Sequence, residues 1–298
     1  MVIIIDSNYL CYVAFFSIGG LKIDTGPTGV IFGFLSRILN LSEMFETNNF
    51  IFSWDSKHSI RKLKCPFYKD RHKDRTPEEE QRYKEAFVQF RQLQNEILPA
   101  IGFANIFQQP GYESDDIIAK LVDDLTEEII VVTSDEDMYQ LLFNCKIYSP
   151  SKKSIMTASR LWDEYEVRPA EWVSVKAIGG CTSDTIPPVA PGIGEKTAIK
   201  YVRNQLKESS AKFKAIKENR PNRDINDWLV RLPLSGTKSQ TISENKFNVE
   251  EFKNICAKFR FNSFLENEGW SRWENFFKRG ESLITAKLRE RAMVKTLC

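Results

Sequence analysis

VVTSDEDMYQLL, from Val131 to Leu142, begins as a short apolar run and continues into two aspartates, Asp135 and Asp137. The β-branched run is typical of a buried strand, so both carboxylates would lie at the end of that strand. Close negative charges that are withdrawn from water repel each other unless a cation shares the site. The stretch therefore predicts a strand that ends at a metal site, with further ligands elsewhere in the chain.

Strand-like and helix-like segments alternate on both sides of this stretch. Val2–Ile5 and Phe50–Asp55 have the residues of buried strands, whereas Pro27–Phe45 has helical periodicity. After about residue 152 the strand signal fades, and residues 208–248 are predicted to be poorly packed connections. The alternation predicts an α/β fold, with a parallel sheet and helices on both of its faces.

The composition excludes several classes of protein. The chain has 298 residues, 42 Lys and Arg against 40 Asp and Glu, and only two histidines, which disfavours a histidine triad or a zinc hydrolase. Its six cysteines form no C-x-x-C pair, as is usual for reduced thiols in the cytoplasm. The apolar start contains Asp6 and no basic region, so it predicts a strand and not a secretory signal. No stretch is long and apolar enough to span a membrane, so we expect a cytoplasmic protein without a membrane partner.

Acidic residues collect where predicted strands end and where one predicted helix begins. Each acid taken alone is better explained as a helix cap or as a partner of the helix dipole than as a ligand. Ligands of open α/β sheets bind outside the carboxyl ends of the strands, where these acids would converge and repel one another without cations. The candidate metal ligands are Asp6, Asp55, Glu113, Asp115, Asp116, Asp135, Asp137 and Asp184.

Oxygen ligands of this kind suit hard ions, so Mg²⁺ or Mn²⁺ is the predicted cofactor. Two such ions about 4 Å apart can clamp the attacking and leaving oxygens of a phosphodiester, and they lower the pKa of water. Metal-assisted hydrolysis of phosphodiesters, with no need for a histidine base, is the hypothesis that these residues favour.

A basic segment, residues 57–75, follows Asp55 directly. It carries eight Lys or Arg against two Asp, and a solvated charge run is the usual explanation for such a composition. Next to a metal site it has a second interpretation, because Lys and Arg neutralise phosphates and aromatic rings stack on unpaired bases. Lys69 would act at the scissile phosphate, and Arg61 would grip phosphate oxygens. The candidate DNA-binding residues here are Arg61, Lys62, Lys64, Tyr68, Lys69, Arg71, Lys73 and Arg75.

A glycine turn between two predicted helices is the second candidate for phosphate binding. Gly192 and Gly194 allow a tight turn and a close approach of the backbone to a ligand. Amides at the start of the next helix, with Lys196 and Thr197, favour a phosphate. Most such turns only connect helices, so the signal is weak when taken alone.

Five segments together resemble the 5′ nucleases, which are the flap endonucleases and 5′→3′ exonucleases of bacteriophages, including the phage RNase H type, and the N-terminal nuclease domain of bacterial DNA polymerase I. The segments are IIIDSNYLCYVAF, FSWDSKHSIRKLKCPFYKDR, GYESDDIIA, VVTSDEDMYQLL and IPPVAPGIGEKTAIKY, in family order across residues 2–202. The resemblance implies a PIN-like nuclease domain over residues 1–155, with a helical arch at about 67–97. A helical DNA-binding region over residues 156–298 would follow, with a helix-three-turn-helix at about 170–203.

The resemblance also implies the activity and the roles of residues. We expect a structure-specific 5′→3′ exonuclease or flap endonuclease that uses two metal ions on 5′-flapped, nicked or gapped DNA, with RNA–DNA hybrids as a further candidate substrate. The eight acids above would hold the metals, and Arg61, Tyr68, Lys69 and Asp135 would be the catalytic residues. A potassium ion would lie near Val189, Gly192 and Gly194. We also expect a stand-alone monomer of the bacteriophage kind. It would be located in the host cytoplasm and work beside a single-strand-binding protein or clamp.

Three positions depart from the family pattern. Cys181 stands where the family has a metal-binding aspartate, Glu136 where a lysine is frequent, and Asp70 begins a triplet that does not match. A thiolate is a poor ligand for Mg²⁺, so a branched-DNA-binding relative with little turnover is the alternative. A phosphatase with a nucleophilic aspartate fits poorly, because Asn8 lies where that chemistry needs a second acid.

Overall fold

The computed structural model describes residues 1–24, 26–70 and 75–279, and its centre is a six-stranded sheet. The strands are β1 (Val2–Asp6), β2 (Lys22–Ile23), β3 (Gly26–Pro27), β4 (Phe50–Ser53), β5 (Ile106–Phe107), β6 (Ile129–Val132), β7 (Lys146–Ser149) and β8 (Ser154–Met156). The sheet order is β5-β4-β1-β6-β7-β8, while β2 and β3 form a separate antiparallel pair. Every neighbouring pair in the large sheet is parallel except β7 with β8. The predicted α/β fold is confirmed, and β8 is a strand that the sequence did not indicate.

Helices cover both faces of this sheet, as predicted. Alternate residues of β1 point to opposite sides of the sheet. Ile3 and Ile5 pack in one apolar core, which we call the first core, and Val2 and Ile4 pack in the other, the second core. The helices are α1 (Ser7–Ile18), α2 (Gly29–Met44), α3 (Ile60–Lys64), α4 (Pro77–Gln92), α5 (Leu98–Ile101), α6 (Ser114–Asp124), α7 (Ala158–Tyr165), α8 (Pro169–Gly179), α9 (Glu195–Val202), α10 (Ala211–Glu218), α11 (Arg220–Val230), α12 (Val249–Lys258) and α13 (Asn262–Leu265).

The segment predicted to form an arch, about 67–97, is mainly helical where it is described. Thr76 caps α4 through a capping box with Glu79, and Pro77 occupies the first helical position. A π-helical stretch, Leu93–Ile97, joins α4 to α5. Residues 71–74 lie outside the described part of the chain, and the arch stays a prediction.

The prediction of poorly packed connections over residues 208–248 is wrong for residues 211–230, whereas residues 231–248 contain no helix or strand. This range contains α10 and α11, and Leu229 and Val230 of α11 are buried. Asn226 donates its side-chain amide to the carbonyls of Ala177 (3.0 Å) and Pro187 (2.8 Å). These two bonds fix α11 against α8, so the segment is part of the packed structure.

Residues after α11 return to the first core. Phe252 of α12 and Trp273 and Phe276 in the helical run 267–279 are buried in the same cluster as Ile3 and Ile5. The division into residues 1–155 and 156–298 stays a prediction, and the two segments share this core. Within the described residues, no helix has both the length and the apolar character needed to cross a membrane.

Candidate metal centre

Acids from separate elements meet at the carboxyl edge of the sheet. Asp6 ends β1 and accepts hydrogen bonds from the Tyr9 amide (3.2 Å) and the Thr133 hydroxyl (3.1 Å). Asp55 follows β4 and accepts from the Ser114 amide (2.8 Å). Asp135 follows β6, and its Oδ1 accepts from the amide two residues on (2.8 Å). The parallel strands therefore deliver the three carboxylates to one edge, as the sequence predicts.

The charges of these acids also raise one another's pKa values. Burial and the nearby charge of Asp55 raise the pKa of Asp6 to about 7, and Asp135 contributes in the same direction. Burial, followed by the charge of Asp135, raises the pKa of Asp115 well above its usual value. Asp55 is exposed at the rim, yet the surrounding protein reduces its hydration and raises its pKa. Burial and like charges disfavour the ionised form of these carboxyl groups, and a bound cation would favour it again.

Asp137, Cys181 and Asp184 form a second group, which we call the inner group. One potential ligand atom of each residue lies within 4.8 Å of the others, and all three residues are buried. The Oδ1 atom of Asp137 is buried and accepts no hydrogen bond. Burial and the charge of Asp135 raise the pKa of Asp137 to about 7, against the opposing effect of Lys176. A buried carboxylate oxygen without a donor fits a site that holds a cation.

Lys69, Tyr68 and Glu113 form a hydrogen-bonded network beside the acids. The Tyr68 hydroxyl (2.8 Å) and the Lys69 ammonium (3.1 Å) both donate to Oε2 of Glu113. Although burial alone would raise it, Lys69 and Arg61 hold the pKa of Glu113 below its usual value. Although burial alone would lower it, Tyr68 and Glu113 raise the pKa of Lys69, so the ammonium stays charged. Tyr68 is only 3% exposed, so the predicted stacking of its ring on a base does not fit the structure.

Arg61 and Asp116 pair with each other inside the protein, which corrects two predictions. Arg61 is 1% exposed, and its guanidinium donates to both carboxylate oxygens of Asp116, at 2.6 and 2.8 Å. Its remaining donors reach the carbonyls of Leu229 (2.8 Å) and Arg231 (3.0 Å). Asp116 also accepts from the Leu234 amide (2.8 Å). The Arg61 guanidinium is therefore not available to bind phosphate oxygens, and the Asp116 carboxylate is not available to bind a metal ion.

The other predicted DNA-binding residues of the basic segment lie at the surface or half-buried. Lys62 is exposed and pairs with Asp70 at 3.4 Å. The Lys64 ammonium lies 4.1 Å from the centre of the Trp228 ring, and Arg75 lies over Tyr83. Two further candidates, Arg71 and Lys73, lie outside the described residues.

The glycine turn joins the 3₁₀ turn Thr182–Asp184 to α9. Gly192 has a φ of +75°, which favours glycine, and open space surrounds its Cα. Gly194 caps α9, where Lys196 is exposed and Thr197 half-buried. Val189, the third predicted ligand of a monovalent cation, is buried, and its carbonyl accepts from Asn222 at 3.5 Å. The predicted helices of the range 170–203 are present as α8 and α9, and their role with DNA stays a prediction.

Lys176 is a residue of the site that the sequence reasoning missed. Its ammonium lies 3.7 Å from Asp137 Oδ1, 3.7 Å from Glu136 and 3.2 Å from Glu195. The side chain comes from the buried face of α8, between Val175 and Ala177. A single lysine inside an apolar helical run is a signal that could have identified it, because a buried ammonium needs anionic partners.

Comparisons with known proteins identify the family of the chain. Residues 1–166 match the family model described as the 5′-3′ exonuclease, N-terminal resolvase-like domain. DNA polymerase I of Thermus thermophilus is 31% identical over 207 residues, which are 68% of this chain and 24% of that protein. The 5′-3′ exonuclease of Buchnera aphidicola subsp. Schizaphis graminum is 30% identical over 288 residues, which are 89% of this chain and 97% of that protein. The chain thus spans about a quarter of the length of the polymerase relatives that it matches.

Among solved structures, the fold is similar to that of the bacteriophage T5 D15 flap endonuclease, determined in a complex with DNA and metal ions. The TM-score is 0.66 at 19% sequence identity, and the alignment covers 94% of this chain and 99% of that chain.

Proposed function

Because this chain belongs to the 5′-3′ exonuclease family, we propose that it hydrolyses phosphodiester bonds near the 5′ ends of flapped, nicked or gapped DNA, and of RNA–DNA hybrids, with Mg²⁺ or Mn²⁺. A 5′-3′ exonuclease relative that aligns over nearly its whole length supports the reaction. A flap endonuclease of similar fold, with DNA and metal ions bound, supports the substrate class.

One observation carries the proposal: buried and half-buried acids of different strands and helices share one edge of the sheet, where burial and their mutual repulsion raise several of their pKa values. Asp6, Asp115 and Asp137 all have raised pKa values there. We expect Asp6, Asp55, Asp115 and Asp135 to hold one ion and the inner group a second. Bound divalent ions would neutralise the scissile phosphate and favour the ionisation of the attacking water.

Lys69 is well placed, among the cations that the structure describes, to act on the phosphate directly. Its backbone adopts a φ of +51°, and its amide donates to the Asp184 carbonyl at 2.8 Å. Its ammonium bonds to Glu113 but keeps 34% of the side chain exposed. The charge is thus held at the rim of the acids, where it can stabilise negative charge that develops on the phosphate oxygens. Glu113 and Tyr68 position it.

The finer parts of the proposal concern the grip on the duplex. The exposed start of α9, with Gly194 and Lys196, would bind a backbone phosphate, and a potassium ion near Val189 and Gly192 would brace the turn. Lys62 and Lys64 would contribute non-specific attraction to the phosphates. We also propose that the chain acts as a monomer in the cytoplasm, beside a single-strand-binding protein or clamp, because the family resemblance implies it.

A metal titration of cleavage on an end-labelled 5′-flap duplex tests the proposal. The natural chain is compared with Asp135→Asn, which keeps an oxygen for the amide of residue 137 while it removes the charge. Product from the natural chain alone, rising with Mg²⁺ or Mn²⁺, is the expected result. Tight binding without product at any metal concentration would favour a branched-DNA-binding relative, and hydrolysis of small phosphate esters would favour a phosphatase.

A further inference from the structure

The acids of the site fall into two sets with different donor chemistry. Asp6, Asp55 and Asp135 offer only oxygen atoms, which suit Mg²⁺ and Mn²⁺. The inner group contains sulfur, because Cys181 lies within 4.8 Å of its two carboxylates. Sulfur ligands select Zn²⁺ and similar borderline or soft ions over Mg²⁺. The two sets therefore do not prefer the same ion.

The backbone fixes the position of the Cys181 sulfur. Cys181 and Ile186 exchange two backbone hydrogen bonds, of 3.0 and 2.9 Å, which close the turn after α8. The cysteine is 7% exposed, and its Sγ lies 2.9 Å from the Ser183 hydroxyl. In the structure the sulfur is thus buried inside the inner group.

A second, independent observation points to a ligand in the same place. Asp137 is 7% exposed, and its Oδ1 accepts no hydrogen bond. The ammonium of Lys176 is 3.7 Å away, which is too far for a hydrogen bond. Burial of a carboxylate oxygen without a donor is unfavourable, and a coordinated cation at the inner group would satisfy it.

We propose that the inner group binds Zn²⁺ through the sulfur of Cys181 and carboxylate oxygens of Asp137 and Asp184. The inference rests on the proposed function, since it concerns the second ion of that site. On binding, the S–H bond breaks, its proton passes to solvent, and a sulfur–zinc bond forms. Three protein ligands leave a fourth position open, as in catalytic zinc sites. The chain then uses two different metal ions, Mg²⁺ or Mn²⁺ at the carboxylates of Asp6, Asp55 and Asp135 and Zn²⁺ at the inner group.

Cobalt is the probe for this site, because Co²⁺ reports its own ligands by absorption. Metal-free protein is titrated with Co²⁺, and a sulfur-to-cobalt charge-transfer band in the near ultraviolet is expected. The band should vanish in Cys181→Ser and persist in Cys145→Ser, a matched control at a buried thiol in the second core. Thermal melting verifies that both variants are folded. Cobalt that binds to the natural chain without this band would overturn the proposal.

Competition titrations supply a readout that does not depend on folding of the serine variant. Cys181→Asp should lose zinc affinity by at least about tenfold, the lower range for the loss of a group that supports a metal. The same variant should cleave flaps at lower Mg²⁺ than the natural chain, because the inner group becomes an oxygen site. Equal zinc affinity in both chains would contradict the inference.

The outcomes separate this inference from the proposed function. Flap cleavage in Mg²⁺ without any charge-transfer band would leave the nuclease proposal standing and refute sulfur coordination. A band and tight zinc binding, without cleavage of any flap or nick, would support sulfur coordination and refute the nuclease proposal.

Discussion

Arg61 and Lys69 come from the same basic segment and both lie near Glu113, at 3.9 and 3.1 Å from its Oε2 atom, yet their environments differ. Arg61 is 1% exposed and is held by Asp116 and two backbone carbonyls. Lys69 keeps 34% of its side chain exposed and shares Glu113 with Tyr68. A buried guanidinium with four of its five N–H donors hydrogen-bonded acts as a structural cross-link, whereas a partly exposed ammonium can still move to a substrate. The charge of a segment therefore does not reveal which of its cations reaches the ligand.

Removal of the buried cation should have the largest effect. Arg61→Met leaves the carboxylate of Asp116 buried without a counterion, and the free energy of unfolding should fall by about 3–5 kcal/mol. Urea unfolding measures it. Asp116→Leu combined with Arg61→Met should recover part of the loss, because no charge then remains buried. Unchanged stability with lost cleavage would assign Arg61 to the phosphate instead.

Removal of the exposed cation should affect the rate and not the fold. Lys69→Met should slow single-turnover cleavage by roughly 10²–10³-fold, which is typical when one preorganised charge is lost from a transition state. The urea midpoint should hardly change. Lys57→Met, at an exposed lysine of the same segment, is the matched control and should cleave almost normally. An equal loss of binding and rate in Lys69→Met would make Lys69 an ordinary backbone contact.

Tyr68 connects the two cases, since it is buried and also bonds to the acid of Lys69. Tyr68→Phe removes the hydroxyl that donates to Glu113, and loss of a hydrogen bond to a charged group should destabilise the fold by roughly 1.5–3 kcal/mol. Cleavage should fall less than in Lys69→Met, because the ammonium remains. A rate loss as large as that of Lys69→Met would contradict this order and show that the ammonium cannot act without the Tyr68 hydroxyl.

The smallest effect concerns acids without a buried counterion. Within the described residues Asp6 forms no ion pair, and burial and Asp55 raise its pKa to about 7. A pKa above the unfolded value means that the native state binds more protons, so the contribution of Asp6 to stability falls as pH rises from about 4 to about 7. In EDTA, Asp6→Asn should therefore gain stability relative to the natural chain across this range. A melting difference that is constant with pH would contradict the raised pKa.

The sequence predicts the strand-end acids well and the buried partners poorly. Asp6 and Asp135 follow apolar runs whose ends necessarily meet in a parallel sheet, so their convergence is a local property repeated along the chain. The burial of Arg61 depends on a carbonyl 168 residues away at Leu229, and no local pattern contains that information. Helices α10 and α11 were missed because their apolar faces are narrow and their composition is polar.

Family motifs raise a different difficulty at Asp116. Asp115 and Asp116 are adjacent aspartates at the start of α6, and the sequence does not distinguish their roles. Helical geometry separates them, because adjacent residues point about 100° apart. One therefore faces the open acids, and the other faces Arg61. Arg61 is itself held by the carbonyl of Leu229 in α11, a helix that lies far away in the sequence.

The Leu234 amide that donates to Asp116 follows that residue by 118 positions, which has a consequence for synthesis on the ribosome. At about 5–20 residues per second, roughly 6–24 seconds separate the emergence of the two groups. At the start of that interval the nascent chain carries only the acids up to Asp116, and throughout it lacks the Leu234 amide that completes the hydrogen bonds of Asp116. A fragment that stops at the end of the matched family domain would be fixed in the same unfinished state. The smallest fragment worth expressing therefore extends past residue 234 and includes the later helices that return to the first core.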